Sequence, residues 1–408
     1  MKNKKLFVLP MFALALLVLS TTAYAQNSDQ GNEKKLGPYK LLTTIFIQEG
    51  GLTGFDISWV DSKHARYYLA NRGNAAAGIK PNIPVIDTER DELIDQIFLS
   101  NAPNGVVAIH RTGNGQGEPG AGTLVVATSP NPGESSKVLF IDLDHPHAPP
   151  IAVDTGGHVD CINPAPPPNR PQPCRADELA YDPRDHIILV ANDRAADLFV
   201  TLISTENPPH VLGKIFYNGS TTLGNPTACT TLADLSTCGI EQPVWNKKTK
   251  RFYLAIPSTV ANQNGEVDEI DPVATPASGD TAGKITRIFP TSCGPAGLVL
   301  IPGQRLMTSC GDVLDIKDGK VVHTVPGVAA DEIWFNSGDG RVYFGHNPAF
   351  VVDAETYEQI TGGGAPIPAG PTHSIAADKE NNHIFIPVTG SGVKVYTDDV
   401  DKGKGNEQ

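Results

Sequence analysis

The sequence predicts an all-β chain, a seven-bladed β-propeller of four-stranded blades closed by an N-terminal strand. Three observations predict it. A strand–turn–strand motif returns seven times at intervals of about 40–60 residues, the spacing of propeller blades. The chain holds 40 Gly and 34 Pro in 408 residues, a composition that suits many short strands joined by turns. The last copy of the motif stops after three strands, while an unassigned strand, Lys40–Ile47, stands at the other end.

The clearest copies share one order: strand, polar turn, strand, loop, and a strand ending in an acidic or hydroxyl residue. The first is Asp56–Asp61, followed by Arg66–Asn71, Pro84–Thr88 and Leu93–Phe98. The second opens at Asn104–Ile109, with Thr123–Ala127 and Val138–Leu143. The third runs Asp177–Asp182, Ile187–Asn192, Val200–Thr205 and Val211–Phe216. The fourth runs Glu241–Asn246, Arg251–Ile256, Glu266–Asp271 and Ile285–Phe289. A short fifth copy opens at Ala296–Ile301 and closes at Val321–Val325. The sixth opens at Asp331–Asn336, with Arg341–Gly345 and Phe350–Asp353. The seventh opens at His373–Asp378, with His383–Pro387 and Gly392–Tyr396. Pairing Lys40–Ile47 with this last copy closes the ring and removes two open sheet edges. An open pair of β-sandwiches gives no reason for seven matching openers.

The termini set the compartment. Lys2, Lys4 and Lys5 precede the apolar run Leu6–Ser20, and Ala23-Tyr24-Ala25 is a small-x-small cleavage site. This is the pattern of a secretory signal peptide, too short to span a bilayer. The expected organisation is a signal peptide at 1–25, a tail at 26–37, one propeller domain at 38–397 and a second tail at 398–408. A periplasmic or secreted monomer follows, with no membrane span. Removing the three leader lysines takes the formal charge from −13 to −16, which argues against nucleic acid and anionic membranes as partners. Small molecules and envelope proteins remain. Six cysteines in an oxidising compartment suggest cystines, and spacing favours Cys161–Cys174, Cys229–Cys238 and Cys293–Cys310. No CxxC supports a cysteine metal site.

Tyr68-Leu-Ala-Asn71 with Val85-Ile-Asp-Thr88, Val190-Ala-Asn192, and the entries Pro103-Asn-Gly105 and Pro295-Ala-Gly297 resemble the YVTN-repeat (YncE-like) propeller family. More distantly the chain is similar to gluconolactonase-like propellers. The likeness covers nearly the whole mature chain. It is specific for fold and poor for function, because such folds host many activities.

In a propeller the first strand of each blade lines the central channel. Aligning the seven openers gives a ring of Asp56, Asn104, Asp177, Glu241, Ala296, Asp331 and His373, with Glu178, Gln242 and Glu332 one residue deeper. Carboxylates facing one narrow axis repel unless they protonate or hold a cation. All-oxygen donors favour Ca²⁺, then Mg²⁺, and the single histidine admits Mn²⁺ or Zn²⁺. The gluconolactonase likeness implies a divalent metal on Asp56, Asn104, Glu241 and Asp331. Entry acids also cap loops in propellers that hold no ion, so a structural cation, a catalytic cation and no cation all stay open. Asn71, Arg175, Asn192, Gln242 and His373 are candidate ligand contacts, and Arg175 equally suits a pair with Asp177. Were the site catalytic, Asp177 or Glu178 would activate water for a metal-dependent lactone or ester hydrolysis. The other readings are a binder of a small ligand or protein and a non-catalytic envelope scaffold.

Other residues carry less. His64, His186 and His383 recur before second strands and read as turn residues on the opposite face. His145 and His147 sit in a Pro-rich loop with Asp142 and Asp144. Trp59, Trp245 and Trp334 occupy matching places and read as packing between blades. The sequence holds no GxSxG elbow, dinucleotide fingerprint, P-loop or haem-attachment motif, and nothing in it suggests a quinone.

Overall fold

The computed structural model describes residues 39–47, 51–110, 122–158, 175–193, 198–217, 239–259, 261–273 and 283–398. The leader 1–25, the tail 26–37, residues 399–408 of the C-terminal tail, and Cys161, Cys174, Cys229 and Cys238 lie outside them. Among the described residues no helix is long and apolar enough to cross a membrane.

The strands fall into seven antiparallel sheets. Strand β1 is Lys40–Ile45. Blade one is β2 (Phe55–Asp61), β3 (Arg66–Asn71), β4 (Asn82–Asp87) and β5 (Glu92–Phe98). Blade two is β6 (Pro103–Ile109), β7 (Thr123–Thr128), β8 (Ser135–Asp142) and β9 (Ile151–His158). Blade three is β10 (Arg175–Asp182), β11 (Ile187–Asp193), β12 (Leu198–Ser204) and β13 (His210–Tyr217). Blade four is β14 (Pro243–Asn246), β15 (Arg251–Ile256), β16 (Glu266–Asp271) and β17 (Lys284–Pro290). Blade five is β18 (Leu298–Ile301), β19 (Arg305–Thr308), β20 (Asp312–Asp315) and β21 (Lys320–Thr324). Blade six is β22 (Ile333–Asn336), β23 (Arg341–Phe344) and β24 (Phe350–Asp353). Blade seven combines β25 (Ala376–Ala377), β26 (Ile384–Val388) and β27 (Gly392–Thr397) with β1.

The ring closes through β1, which pairs antiparallel with β27 from Lys40↔Thr397 to Ile45↔Val393. Asp398 belongs to this closure rather than to a loose tail. Buried Arg341 donates to the Tyr39 hydroxyl at 2.6 Å and to Asp398 at 2.8 Å. Blade six has three strands, and its outer edge is met by one bridge, Val352↔Gln359.

Burial explains why the strands look as they do in sequence. The two middle strands of a blade are sandwiched between neighbouring blades, so β11 (Ile-Ile-Leu-Val-Ala-Asn-Asp) is buried along its whole length. Strands covered on both faces read as continuous apolar runs rather than as alternation. Outer strands face water, and Phe98, Phe216 and Val322 on β5, β13 and β21 are exposed. The turn from first to second strand also repeats. Ala65, Gly122, His186, Lys250, Gln304, Gly340 and Asn382 all hold positive φ just before or near the start of their second strands. The last residue of the entry motif braces several of these turns. Asp182, Asn246, Asn336 and Asp378 each accept the amide two residues on, at 2.8–3.0 Å, the Asx pattern that substitutes for a backbone turn.

Candidate functional site: the channel mouth

The entry acids are aimed by a local irregularity. The ladder between first and second strands shifts register between Phe55 and Ser58, between Pro103 and Val106, and between Ala176 and Leu179. The skipped residues include Asp56, Asn104, Asp177 and Glu178. Bulges of this kind free a residue from the ladder and redirect its side chain. Adjacent entries are stitched directly: Gln242 N donates to Ala296 O at 3.2 Å and Glu332 N to His373 O at 3.1 Å. The glycines of the Asn-Gly and Ala-Gly entries serve this contact. A Cβ on Gly105 would collide with the Asp177 carbonyl, and one on Gly297 with the Asp331 carbonyl.

Two arginines organise one side of the mouth. Arg72, just after β3, donates from Nε to Asn104 Oδ1 at 2.9 Å and pairs through Nη2 with Asp56. Arg175, the first residue of β10, donates from Nε to Asp177 Oδ2 at 2.6 Å and lies 3.4 Å from Asp193 and 4.0 Å from Asp56. Asn104 is fully committed: its Nδ2 donates to Ala176 O at 2.8 Å and to Ser129 Oγ at 3.1 Å. His373 donates from Nε2 to Phe55 O at 3.0 Å, lies 3.4 Å from Asp56 Oδ1, and stacks on the Phe55 ring at 4.6 Å.

The acids concentrate against Arg175. Asp177, Asp193 and Glu241 each offer a carboxylate oxygen, all within 4.8 Å of one another. Asp177 Oδ1 is buried without a hydrogen-bond partner. A Cβ on Gly239 would strike both Glu241 Oε1 and Asp193 Oδ1, so the glycine leaves that space to the oxygens. Asp331 is exposed beside them. One layer deeper, Glu178 and Glu332 are buried, each with one oxygen lacking a partner. Glu332 accepts a hydrogen bond from Ser374, whose hydroxyl oxygen lies 2.9 Å from Ser58 Oγ and can accept from it.

The electrostatics divide along the same line. Burial pushes Asp56 up, but the guanidinium groups of Arg72 and Arg175 outweigh it and hold its carboxyl well below the usual range. Burial raises Asp177 to about 7; Arg175 acts against it without overcoming it, and repulsion from Asp56 and Asp193 adds to the rise. Burial and then neighbouring carboxylates raise Glu178 and Glu241 well above the usual range. Glu332 is raised in the same way despite its bond from Ser374. For His373 burial acts downward, but Asp56 and Asp331 win and its pKa rises. Five mouth carboxylates (Asp56, Asp177, Asp193, Glu241, Asp331) thus face two guanidinium groups and one imidazole.

The structure brings Asp56, Asp177, Glu241, Asp331, His373 and Arg175 together and engages Asp56 and Asn104 with Arg72. Two of the expected ligand contacts are placed inside the protein. Asn71 is buried against Asn82, at 3.4 Å, and accepts Gly73 N at 3.2 Å. Asn192 is buried between Thr155, at 2.9 Å, and Thr201, at 2.8 Å. Gln242 accepts Leu298 N at 2.7 Å. Arg72 and Asp193 were not singled out from sequence. Their signal is that each ends or follows a second strand, beside the asparagines that were.

Behind the mouth lies a mostly apolar cavity of about 500 Å³, lined by first strands of six blades and by Glu178, Gln242 and Glu332. Trp59, Trp245 and Trp334 line it while also packing against core clusters. Trp59 and Trp334 meet edge to face at 5.3 Å. Their two blades flank β25, whose inner positions are only Ala376 and Ala377. His145 and His147 are exposed and each lies 3.2 Å from one carboxylate, Asp142 and Asp95 respectively.

No family model matches this chain, and no curated protein matches it. The YVTN and gluconolactonase resemblances therefore stand at the level of fold. Solved structures do match. A chain of the crystal structure of the mitotic checkpoint complex is 12% identical with a TM-score of 0.53, covering 94% of this chain and 99% of that one. The WD40 β-propeller domain of Doa1 is 10% identical with a TM-score of 0.53, covering 88% and 97%. The β-propeller domain of Cps50 (Swd1) from Myceliophteria thermophila is 10% identical with a TM-score of 0.56, covering 88% and 99%. At these identities the likeness is one of fold.

Proposed function

We propose that this chain is an exported binding propeller whose channel mouth takes a small ligand or a protein partner through a divalent cation held by Asp177, Asp193 and Glu241. The observation that carries this reading is the convergence of three carboxylate oxygens within 4.8 Å, with a buried, unpartnered Asp177 oxygen among them. Converging acids inside a protein are costly unless a proton or cation neutralises them. The all-oxygen donor set fits Ca²⁺ or Mg²⁺, and the space that Gly239 leaves free adjoins two of the oxygens. Arg72, Arg175 and His373 ring the cluster and suit an anionic or hydroxyl-bearing group of the ligand. The signal-like N-terminus and the Cys293–Cys310 cystine support export.

Binding is favoured over lactone hydrolysis by the placement of the two candidate bases. Arg175 holds Asp177 within its own cluster, and Glu178 lines the apolar cavity behind the mouth. One of the similar folds comes from the mitotic checkpoint complex, which supports a protein partner as the second option.

The test is calorimetric titration of Ca²⁺ and Mg²⁺ into untagged protein dialysed against EDTA. One cation per chain is expected, weakened at least about tenfold in Asp177→Asn and Glu241→Gln. A parent protein that binds neither ion, or variants that bind as the parent does, overturns the cation reading.

A further inference from the structure

A second group of metal-type donors stands at the other end of the first strand. Asp61 ends β2, five residues from Asp56 and so about 17 Å further along the channel wall. Its equivalents in four other blades turn an oxygen onto their own turn amide. Asp61 Oδ2 instead faces two imidazoles from different blades: His64 Nδ1 at 2.7 Å and His110 Nε2 at 2.7 Å. His64 lies in the turn after β2, and His110 directly follows β6. Their ring centroids are 4.0 Å apart, tilted by 40°. The donor atoms all lie within 4.8 Å of one another.

From this juxtaposition we infer that Asp61, His64 and His110 form a binding site for a divalent transition cation of the Zn²⁺ class, on the face opposite the mouth. Two imidazole nitrogens and one carboxylate oxygen are the donor set that such borderline cations prefer over Ca²⁺ or Mg²⁺. Asp61 Oδ2 accepts from both imidazoles, and the cation displaces those two protons and takes their place between the same three atoms. Ligation through Nε2 then leaves the His110 proton on Nδ1. With bonds of 2.0–2.1 Å a tetrahedral site sets its ligands about 3.3 Å apart. The two 2.7 Å contacts reach that by side-chain rotations of about half an ångström. His64 and His110 keep 34% and 21% of their side-chain surface exposed, which gives the ion a path in.

The protein provides three ligands, which leaves a position open. Asp61 and His110 border a cleft of about 320 Å³ that Trp59, Trp334, Lys63 and Lys379 also line. Water or a small anion fits the fourth position there, with the two exposed lysines supplying positive charge. The site is independent of the mouth, and neither reading needs the other.

The experiment uses untagged full chain carrying Asp177→Asn and Glu241→Gln, so that the mouth is silent, dialysed against EDTA and titrated with Zn²⁺ by calorimetry. One Zn²⁺ per chain is expected. His64→Ala, in a half-exposed turn that tolerates substitution, lowers the affinity at least about tenfold, and His110→Ala does the same. Circular dichroism verifies the fold of each variant, and His64→Ala alone decides should His110→Ala not fold. Unchanged Zn²⁺ affinity in folded His64→Ala overturns the site, as does a parent that binds no Zn²⁺.

Discussion

Asp177→Asn gives the sharpest prediction, because one atom pair changes and the sign depends on pH. The native carboxyl titrates at about 7 against an ordinary 3.8, since burial and the nearby acids disfavour its charged form. In the unfolded chain that proton is lost near 3.8. Between the two values the native state holds a proton that the unfolded state lacks, so native stability falls as pH rises. At 1.36 kcal/mol per pH unit the full interval amounts to about 4 kcal/mol. The loss begins near about pH 4 and is complete by about pH 8. Asparagine has the same shape and no charge to expel, so its stability escapes this part of the decline. The assay is urea unfolding in EDTA at several values from about pH 4 to about pH 8, followed by tryptophan fluorescence. The variant is expected to gain on the parent by up to about 4 kcal/mol across the range, with Glu241 sharing some of the effect. Saturating Ca²⁺ should erase that gain, because the ion replaces the proton in the parent but finds one donor fewer in the variant. Parallel stability curves for parent and variant in EDTA would refute the claim that Asp177 is forced to hold a proton.

Two further outcomes test the frame that carries the mouth. Ile45→Asp places a charge in the β1–β27 seam, where Ile45 packs in a core cluster with Phe385, Val393 and Val395. A loss of at least about 3 kcal/mol in urea unfolding is expected from lost apolar burial and an unpaired charge, while Phe46→Asp, at a position 71% exposed, stays within about 0.5 kcal/mol. Equal effects at both positions would count against ring closure by β1. Cys293→Ser with Cys310→Ser removes a cystine that spans 17 residues in sequence. The chain-entropy model puts the loss at about 3 kcal/mol, and an unchanged urea midpoint would show that the link constrains little.

The repeat was legible because each blade answers the same physical demand. Middle strands covered on both sides need unbroken apolar runs such as Ile187–Ala191, first-to-second turns need a residue at positive φ such as Gly122 or His186, and these marks recur at blade spacing. Ring closure was legible for the same reason: a strand without a partner at one end matched a blade missing a strand at the other. The site was legible only as a zone. Aligning openers placed Asp56, Asp177, Glu241, Asp331 and His373 around one mouth, but the alignment could not say which carboxylates would be neutralised. Arg72, just after β3, decides that for Asp56 and also engages the Asn104 amide, and no alignment of first strands includes it. Asn71 and Asn192 matched by position yet turned inward, because their side chains complete hydrogen bonds to buried residues of neighbouring strands.

The turn histidines show the limit from the other side. His64 reads as one of three equivalent surface residues, and locally it is. Its meeting with His110 is made by the packing of blade two on blade one, which brings together residues 46 positions apart. By itself the sequence determined the number of blades, their order and the kind of residue at each channel entry, since periodicity and burial act locally and repeat. Tertiary structure alone decided which charges meet. Pairing depends on a few ångströms across blade junctions: a direct hydrogen-bonded ion pair needs contact, and the Coulomb energy of two charges halves when their separation doubles.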